Sequence, residues 1–135
     1  MKKIILKAKI NFKSELNLKN LSKINFEEKI ISKINILYDN KECELQELFK
    51  IQVQKSDNNE LIIFGTNRNC DYLGWKWQKG TLRIKSDVGS FLGVQMINGK
   101  IIVEGSCQHH VGSGMTGGKI FLKSNGRNYD FSSNW

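Results

Sequence analysis

Residues 81–118 read Thr81-Leu-Arg-Ile-Lys-Ser-Asp-Val-Gly-Ser-Phe-Leu-Gly-Val-Gln-Met-Ile-Asn-Gly99 and then Lys100-Ile-Ile-Val-Glu-Gly-Ser-Cys-Gln-His-His-Val-Gly-Ser-Gly-Met-Thr-Gly-Gly118. These are two copies of one nineteen-residue pattern. Laid over each other they pair Leu82 with Ile101, Ile84 with Val103, Val88 with Cys107, Leu92 with Val111 and Met96 with Met115. A looser copy precedes them over Leu61–Gly80, with two extra residues between Gly65 and Gly74 and Trp77 at the methionine position. A fourth copy begins at Lys119-Ile-Phe-Leu122 and breaks from the pattern at Asn125-Gly-Arg127. Gly74, Gly93 and Gly112, and again Gly80, Gly99 and Gly118, recur at the same spacing as a Gly-x₅-Gly frame.

A period near twenty with no helix-length apolar pattern inside it predicts stacked turns. The segments Leu61–Phe64, Leu82–Ile84, Ile101–Val103 and Ile120–Leu122 are short and aliphatic and alternate as strands do. Turns stacked about 4.8 Å apart would pair each strand in parallel with its copy, and nineteen residues at ~3.3 Å trace a circuit of about 60 Å, enough for three sides around one core. The six frame glycines are expected at corners, where φ turns positive. Parallel crossovers are overwhelmingly right-handed. The expected fold is therefore mainly β: a right-handed parallel β-helix of three to four coils over residues 60–135, behind a small α+β cap over residues 1–59.

Ser86–Gly105 and His110–Ile120 carry a resemblance as well. They are similar to the glycine-repeat β-helix shared by the β-helical subunit of formylmethanofuran dehydrogenase and the C-terminal domain of the glutamate synthase large subunit. Glu47-Leu-Phe-Lys-Ile-Gln-Val53, Leu61-Ile-Ile-Phe-Gly65 and Asp71-Tyr-Leu-Gly74 resemble the lead-in of that dehydrogenase subunit, so the resemblance spans nearly the whole chain. It implies a non-catalytic scaffold subunit of a formylmethanofuran dehydrogenase, or of the related bacterial formyltransferase/hydrolase complex of one-carbon metabolism. The molybdenum or tungsten pterin, the metal-dependent hydrolase site and the furan-type carrier would belong to other subunits, an amidohydrolase-like one being the expected partner. The alternatives are a glutamate-synthase-like accessory domain and a free-standing protein-binding module, which the small number of coils suggests.

In the lead, Ile4, Leu6, Ala8, Ile10 and Phe12 alternate as a half-buried strand over 4–12. Asn25-Phe-Glu-Glu28 offers a cap and an acid three residues on, predicting a short helix through about Lys33. A strand over Ile34–Tyr38, a turn at Asp39-Asn40, a helical turn over Glu44–Phe49 and a strand through Ile51 and Val53 follow, with Ser56–Asn59 as the link.

The 135 residues carry a formal charge of +8. It is evenly spread, twelve basic residues against eight acids before residue 60 and nine against five after it. No basic cluster stands beside stacking aromatics, so no nucleic-acid partner is expected. No apolar run is long enough for a membrane span or signal core, which leads us to expect a cytoplasmic protein.

Self-contained chemistry is hard to find. His109 and His110 are adjacent and would point to opposite faces, and His110 aligns with Phe91 and Tyr129 as a ring column. Cys43, Cys70 and Cys107 show no CxxC spacing, Cys107 falls in the Val88 column, and Asp71 beside Cys70 would raise a thiol pKa. Asp87, Glu104 and Asp130 form no repeated pair. No catalytic, cofactor or metal residue is assigned. What stands out is outward apolar surface: Ile62, Phe64, Ile102 and Phe121 on the strands, and Trp75 at a corner, as candidate interface residues. The lead and a partner are equally expected to cover the strand set. Phe131 and Trp135 are expected to cap the last coil.

Overall fold

The computed structural model describes residues 1–26 and 30–130. The chain is mainly β, with β1 (Lys2–Ala8), β2 (Leu16–Asn17), a 3₁₀ turn (Lys19–Lys23), β3 (Asn35–Tyr38), β4 (Lys41–Glu44), α1 (Leu45–Leu48), β5 (Phe49–Lys55), β6 (Glu60–Phe64), β7 (Cys70–Asp71), β8 (Thr81–Ile84), β9 (Lys100–Val103), β10 (Lys119–Leu122) and β11 (Arg127–Asp130). The strands form two mixed sheets, one ordered β11-β10-β9-β8-β6-β1-β5 and one ordered β4-β3-β2-β7. Among the described residues no helix is long and apolar enough to cross a membrane.

β6, β8, β9 and β10 pair in parallel, copy on copy, so Leu61, Leu82, Ile101 and Ile120 form one column and Ile63, Ile84, Val103 and Leu122 the next. All eight are buried, and each contributes roughly 1.5–3 kcal/mol by leaving water. The turns also bond to each other away from the strands: Val88 N donates to Ser106 O, Phe91 N to His109 O and Gly112 N to Leu92 O, each at 2.8–2.9 Å. Trp77, Met96 and Met115 stack as a third buried column, with the Trp77 indole donating to Gly80 O at 3.1 Å.

The six frame glycines all have φ between 66° and 86°. At Gly99 (φ 84°) an added Cβ would lie 2.6 Å from Gly80 O, so both the turn and the close approach of adjacent coils require a bare backbone there. The corners use more left-handed positions than those glycines. Tyr72, Phe91 and His110 stand at φ 63°, 64° and 62°, and Lys76 and Gln95 at 53° and 57°. Each such non-glycine residue costs about 1–2 kcal/mol, offset at the first three by ring stacking.

The large sheet is not purely parallel. β11 runs back antiparallel on β10, pairing Ile120 with Tyr129. The Asn125 side chain accepts from Arg127 N at 3.0 Å and Gly126 sits at φ 68°, a local reversal that replaces the fourth coil. At the other end β1 pairs in parallel with β6 and antiparallel with β5, so the sheet runs on through the lead. β2 pairs in parallel with β7, which lies in the segment holding the two extra residues of the first copy.

Several local expectations change. The first strand stops at Ala8, not at residue 12, because its partner β6 ends at Phe64 and Gly65 turns away at φ 85°. Ile10 is consequently 45% exposed, while Phe12 is buried against Tyr38 and Phe49, with centroids 5.7 and 5.6 Å away. The helix expected over 25–33 falls partly on residues 27–29, outside the described residues, and Ser32-Lys33 is a turn. Helical geometry comes earlier, at Lys19–Lys23, where Asn17 accepts from Lys19 N and Leu21 packs inward. Asp39 and Asn40, both left-handed, close the β3–β4 hairpin. In α1 the Glu44 and Glu47 side chains cap each other's backbone. The capping expected of Phe131 and Trp135 lies outside the described residues.

Candidate functional site

On the outer face of the large sheet, the interface residues expected on the strands come together. Ile62 lies beside Arg83, Arg83 beside Ile102 and Ile102 beside Phe121, one strand apart each time. Ile5 of the lead pairs with Ile62 and extends the row. The lead therefore widens this face through β1 instead of lying over it. Phe64 occupies the next row beside Lys7, whose ammonium sits 5.8 Å from the ring centroid. Beside Ile102 and Phe121 a shallow depression of about 350 Å³ opens, bounded by Lys100, Lys123 and Asn128.

Arg83 crosses the apolar row and is held in it. Its Nε bonds Glu60 at 3.2 Å and its Nη1 lies 3.6 Å from Glu104, which also accepts from Lys85 Nζ at 2.9 Å. That hydrogen bond from Lys85, helped by the Lys85, Lys123 and Arg83 charges against slight burial, holds the Glu104 carboxyl below its ordinary range.

Trp75 is elsewhere. It lies in the turn at residues 73–76, half-buried, with Lys19 and Lys76 ammoniums 4.8 and 4.7 Å from its ring centroid. Its face is already occupied by the chain's own cations.

The ring column is Tyr72, Phe91 and His110, with centroids 4.7 and 5.1 Å apart and planes within 9° and 7°. Tyr129, expected to continue it, is carried off by the antiparallel turn of β11. Tyr72 was not among the expected members, although it stands nineteen residues before Phe91 and so carries the signal that finds it.

The reactive side chains do not assemble. Burial pushes the Cys70 thiol up to about 11, with a backbone hydrogen bond from Asn67 opposing and the Asp71 charge adding to it. Burial also raises Cys43 and Cys107. Cys107 is half-buried against the core. The two histidine rings meet edge to face with centroids 6.5 Å apart, and not on the opposite faces expected of strand neighbours, because His110 is left-handed at φ 62°. Among the described residues no three His, Cys, Asp or Glu side chains gather as a metal site. One carboxyl pair, invisible in sequence because its members are 56 residues apart, joins Glu15 to Asp71; the shared hydrogen bond, then burial, then the Asp71 charge raise the Glu15 pKa. Asp71 also accepts from Ser90 N at 2.8 Å, which makes it a tie between coils.

No family profile and no curated protein matches the sequence. A solved structure does share the fold. It is a chain of the formyltransferase/hydrolase complex (FhcABCD) from Methylorubrum extorquens, crystallised with methylofuran, at 30% identity and a TM-score of 0.73. The match covers 87% of this chain and 44% of that one, so this chain spans less than half of its neighbour's length. At that coverage the match takes in much of the lead as well as the coils.

Proposed function

We propose that this chain is a non-catalytic scaffold subunit of a formyl-handling one-carbon complex, built as a right-handed parallel β-helix with residues 1–59 capping one end. The observation that carries the reading is 30% identity over 87% of the chain with a chain of a formyltransferase/hydrolase complex. This chain's thiols are raised by burial and no three His, Cys, Asp or Glu side chains gather among the described residues, and no step of a reaction is assigned to its residues. Metals, pterin and a furan-type carrier would be held by other subunits. The stacked coils provide a stiff wall, and Ile62, Phe64, Ile102 and Phe121 provide apolar surface on it.

The test is affinity isolation of the tagged chain from its native host at physiological salt, followed by identification of what comes with it. Recovery of an amidohydrolase-like subunit with its formyl-transferring companions is the expected result. A stable lone monomer overturns the reading, and co-isolation with glutamate synthase would move the chain to that complex.

A further inference from the structure

We propose that the outer face of the large sheet docks one kind of partner: a protein surface with an apolar ridge rimmed by carboxylates. This rests on the scaffold reading and specifies its contact.

The face is ordered in three rows, set by strand register. The middle row is apolar over five strands, Ile5, Ile62, Ile102 and Phe121, broken by Arg83 and ended by Gln52 on β5 and Asn128 on β11. One flanking row aligns Lys3, Glu60, Thr81, Lys100 and Lys119 across the strands. The other places Lys7 beside both Phe64 and Lys50, with Lys85, Glu104 and Lys123 continuing it. The acids of the face are already engaged, Glu60 by Arg83, Glu104 by Lys85 and Arg83, and Asp130 on β11 by Lys119 at 3.7 Å. They hold Arg83, Lys85 and Lys119 within the face and leave Lys3, Lys7, Lys100 and Lys123 at its rim to a partner. With ~4.8 Å between strands and about 7 Å between rows, seven strands make a patch about 30 Å long and 15–20 Å wide, roughly 450–600 Å². That is below the ~800 Å² per partner of a standard interface and in the range of a small one.

Charge selects the occupant. A second copy would bring an equally basic rim against this one, and like charges across an interface cost several kcal/mol. A nucleic acid would find little to stack on, because the middle row is aliphatic apart from Phe121. A carboxylate-rimmed apolar ridge satisfies both the row and the rim.

The experiment uses the full chain in its native host, isolated by tag, in three forms: wild type, Ile102→Glu/Phe121→Glu, and Lys100→Glu/Lys123→Glu. The second reversal leaves the apolar row intact and separates charge from shape. Lys41→Glu, on the hairpin strand β4, is the control. Circular dichroism and urea midpoint establish that each variant folds. The expected result is at least about a tenfold drop in co-isolated partner for both face variants and none for the control. Zero-length carbodiimide cross-links should join Lys100 or Lys123 to partner carboxylates. If folded face variants retain the complex at wild-type yield, the docking face is wrong while the scaffold reading stands. If the wild type itself comes out alone, the scaffold reading fails and takes this inference with it. A wild-type homodimer that the face variants dissolve, or face-dependent co-isolation of nucleic acid, also overturns the proposal.

Discussion

Replacing Gly99 by alanine should damage the fold in a way that can be worked out from its neighbours. The residue stands at φ 84°, and the new methyl would lie 2.6 Å from Gly80 O and 3.2 Å from the Trp77 indole. That carbonyl cannot retreat freely, since it accepts from both Lys100 N at 3.0 Å and the Trp77 indole at 3.1 Å. Alanine in the left-handed region costs about 1–2 kcal/mol, and loosening one or two hydrogen bonds adds about 1 kcal/mol each. The expected loss is therefore roughly 2–4 kcal/mol, a large share of a stability on the order of 5–15 kcal/mol. Gly126→Ala is the matched comparison, because φ is 68° there and nothing lies within 4 Å of the added carbon. It should lose only the conformational part, about 1–2 kcal/mol. Urea titration followed by tryptophan fluorescence reads both variants, and with a slope of about 1–3 kcal/mol/M the gap between their midpoints should approach 1 M. Equal midpoints would refute the idea that coil-to-coil backbone approach dictates glycine at these corners.

Phe91 supports two further substitutions with opposite corrections. Removing the ring breaks the stack with Tyr72 and His110, yet at φ 64° glycine relieves strain that alanine retains, so Phe91→Gly should be about 1 kcal/mol more stable than Phe91→Ala by urea unfolding. The Cys70 thiol is raised when folded from an ordinary value of 9.0 to about 11, so its contribution is complete below 9.0 and disappears as pH rises towards about 11. Wild type should lose about 2–3 kcal/mol more than Cys70→Ala across that window, measured by urea titration at fixed pH, and thiol reagents should reach Cys43 and Cys107 before Cys70. Glu104 is depressed when folded, so its contribution is present above the ordinary 4.5 and is lost as pH falls through the folded value. Lys85→Ala should shift the Glu104 titration upward by carboxyl NMR, and an unchanged curve would remove Lys85 as the leading cause.

Repetition is what made the fold legible. Leu82 opposite Ile101 and Trp77 in line with Met96 follow from a constant offset, because identical turns place equivalent side chains in the same column. Two of the misses occur where repetition stops. Nothing periodic links Ile5 to Ile62, so the continuation of the sheet into the lead was invisible, and with it one end of the apolar row. The reversal at Asn125-Gly126 showed as a departure from the pattern, but its direction depends on a side-chain hydrogen bond and one dihedral angle. Left-handed Lys76 and Gln95 carry no compositional sign, since neither residue type prefers that conformation. Half-buried aromatics were also ambiguous: Phe121 and Trp75 looked alike in sequence, and of the two it is Trp75 that is held by the chain's own lysines.

The backward strand β11 has a bearing on how such a chain changes length. It contacts β10 and ends the stack by local means, while the lead closes the opposite side through β1 and β2. Neither terminator counts the coils between them. A duplicated nineteen-residue unit spliced in after Gly99 would meet neighbours of its own kind above and below, so the molecule can be made taller by tandem duplication without redesigning either end.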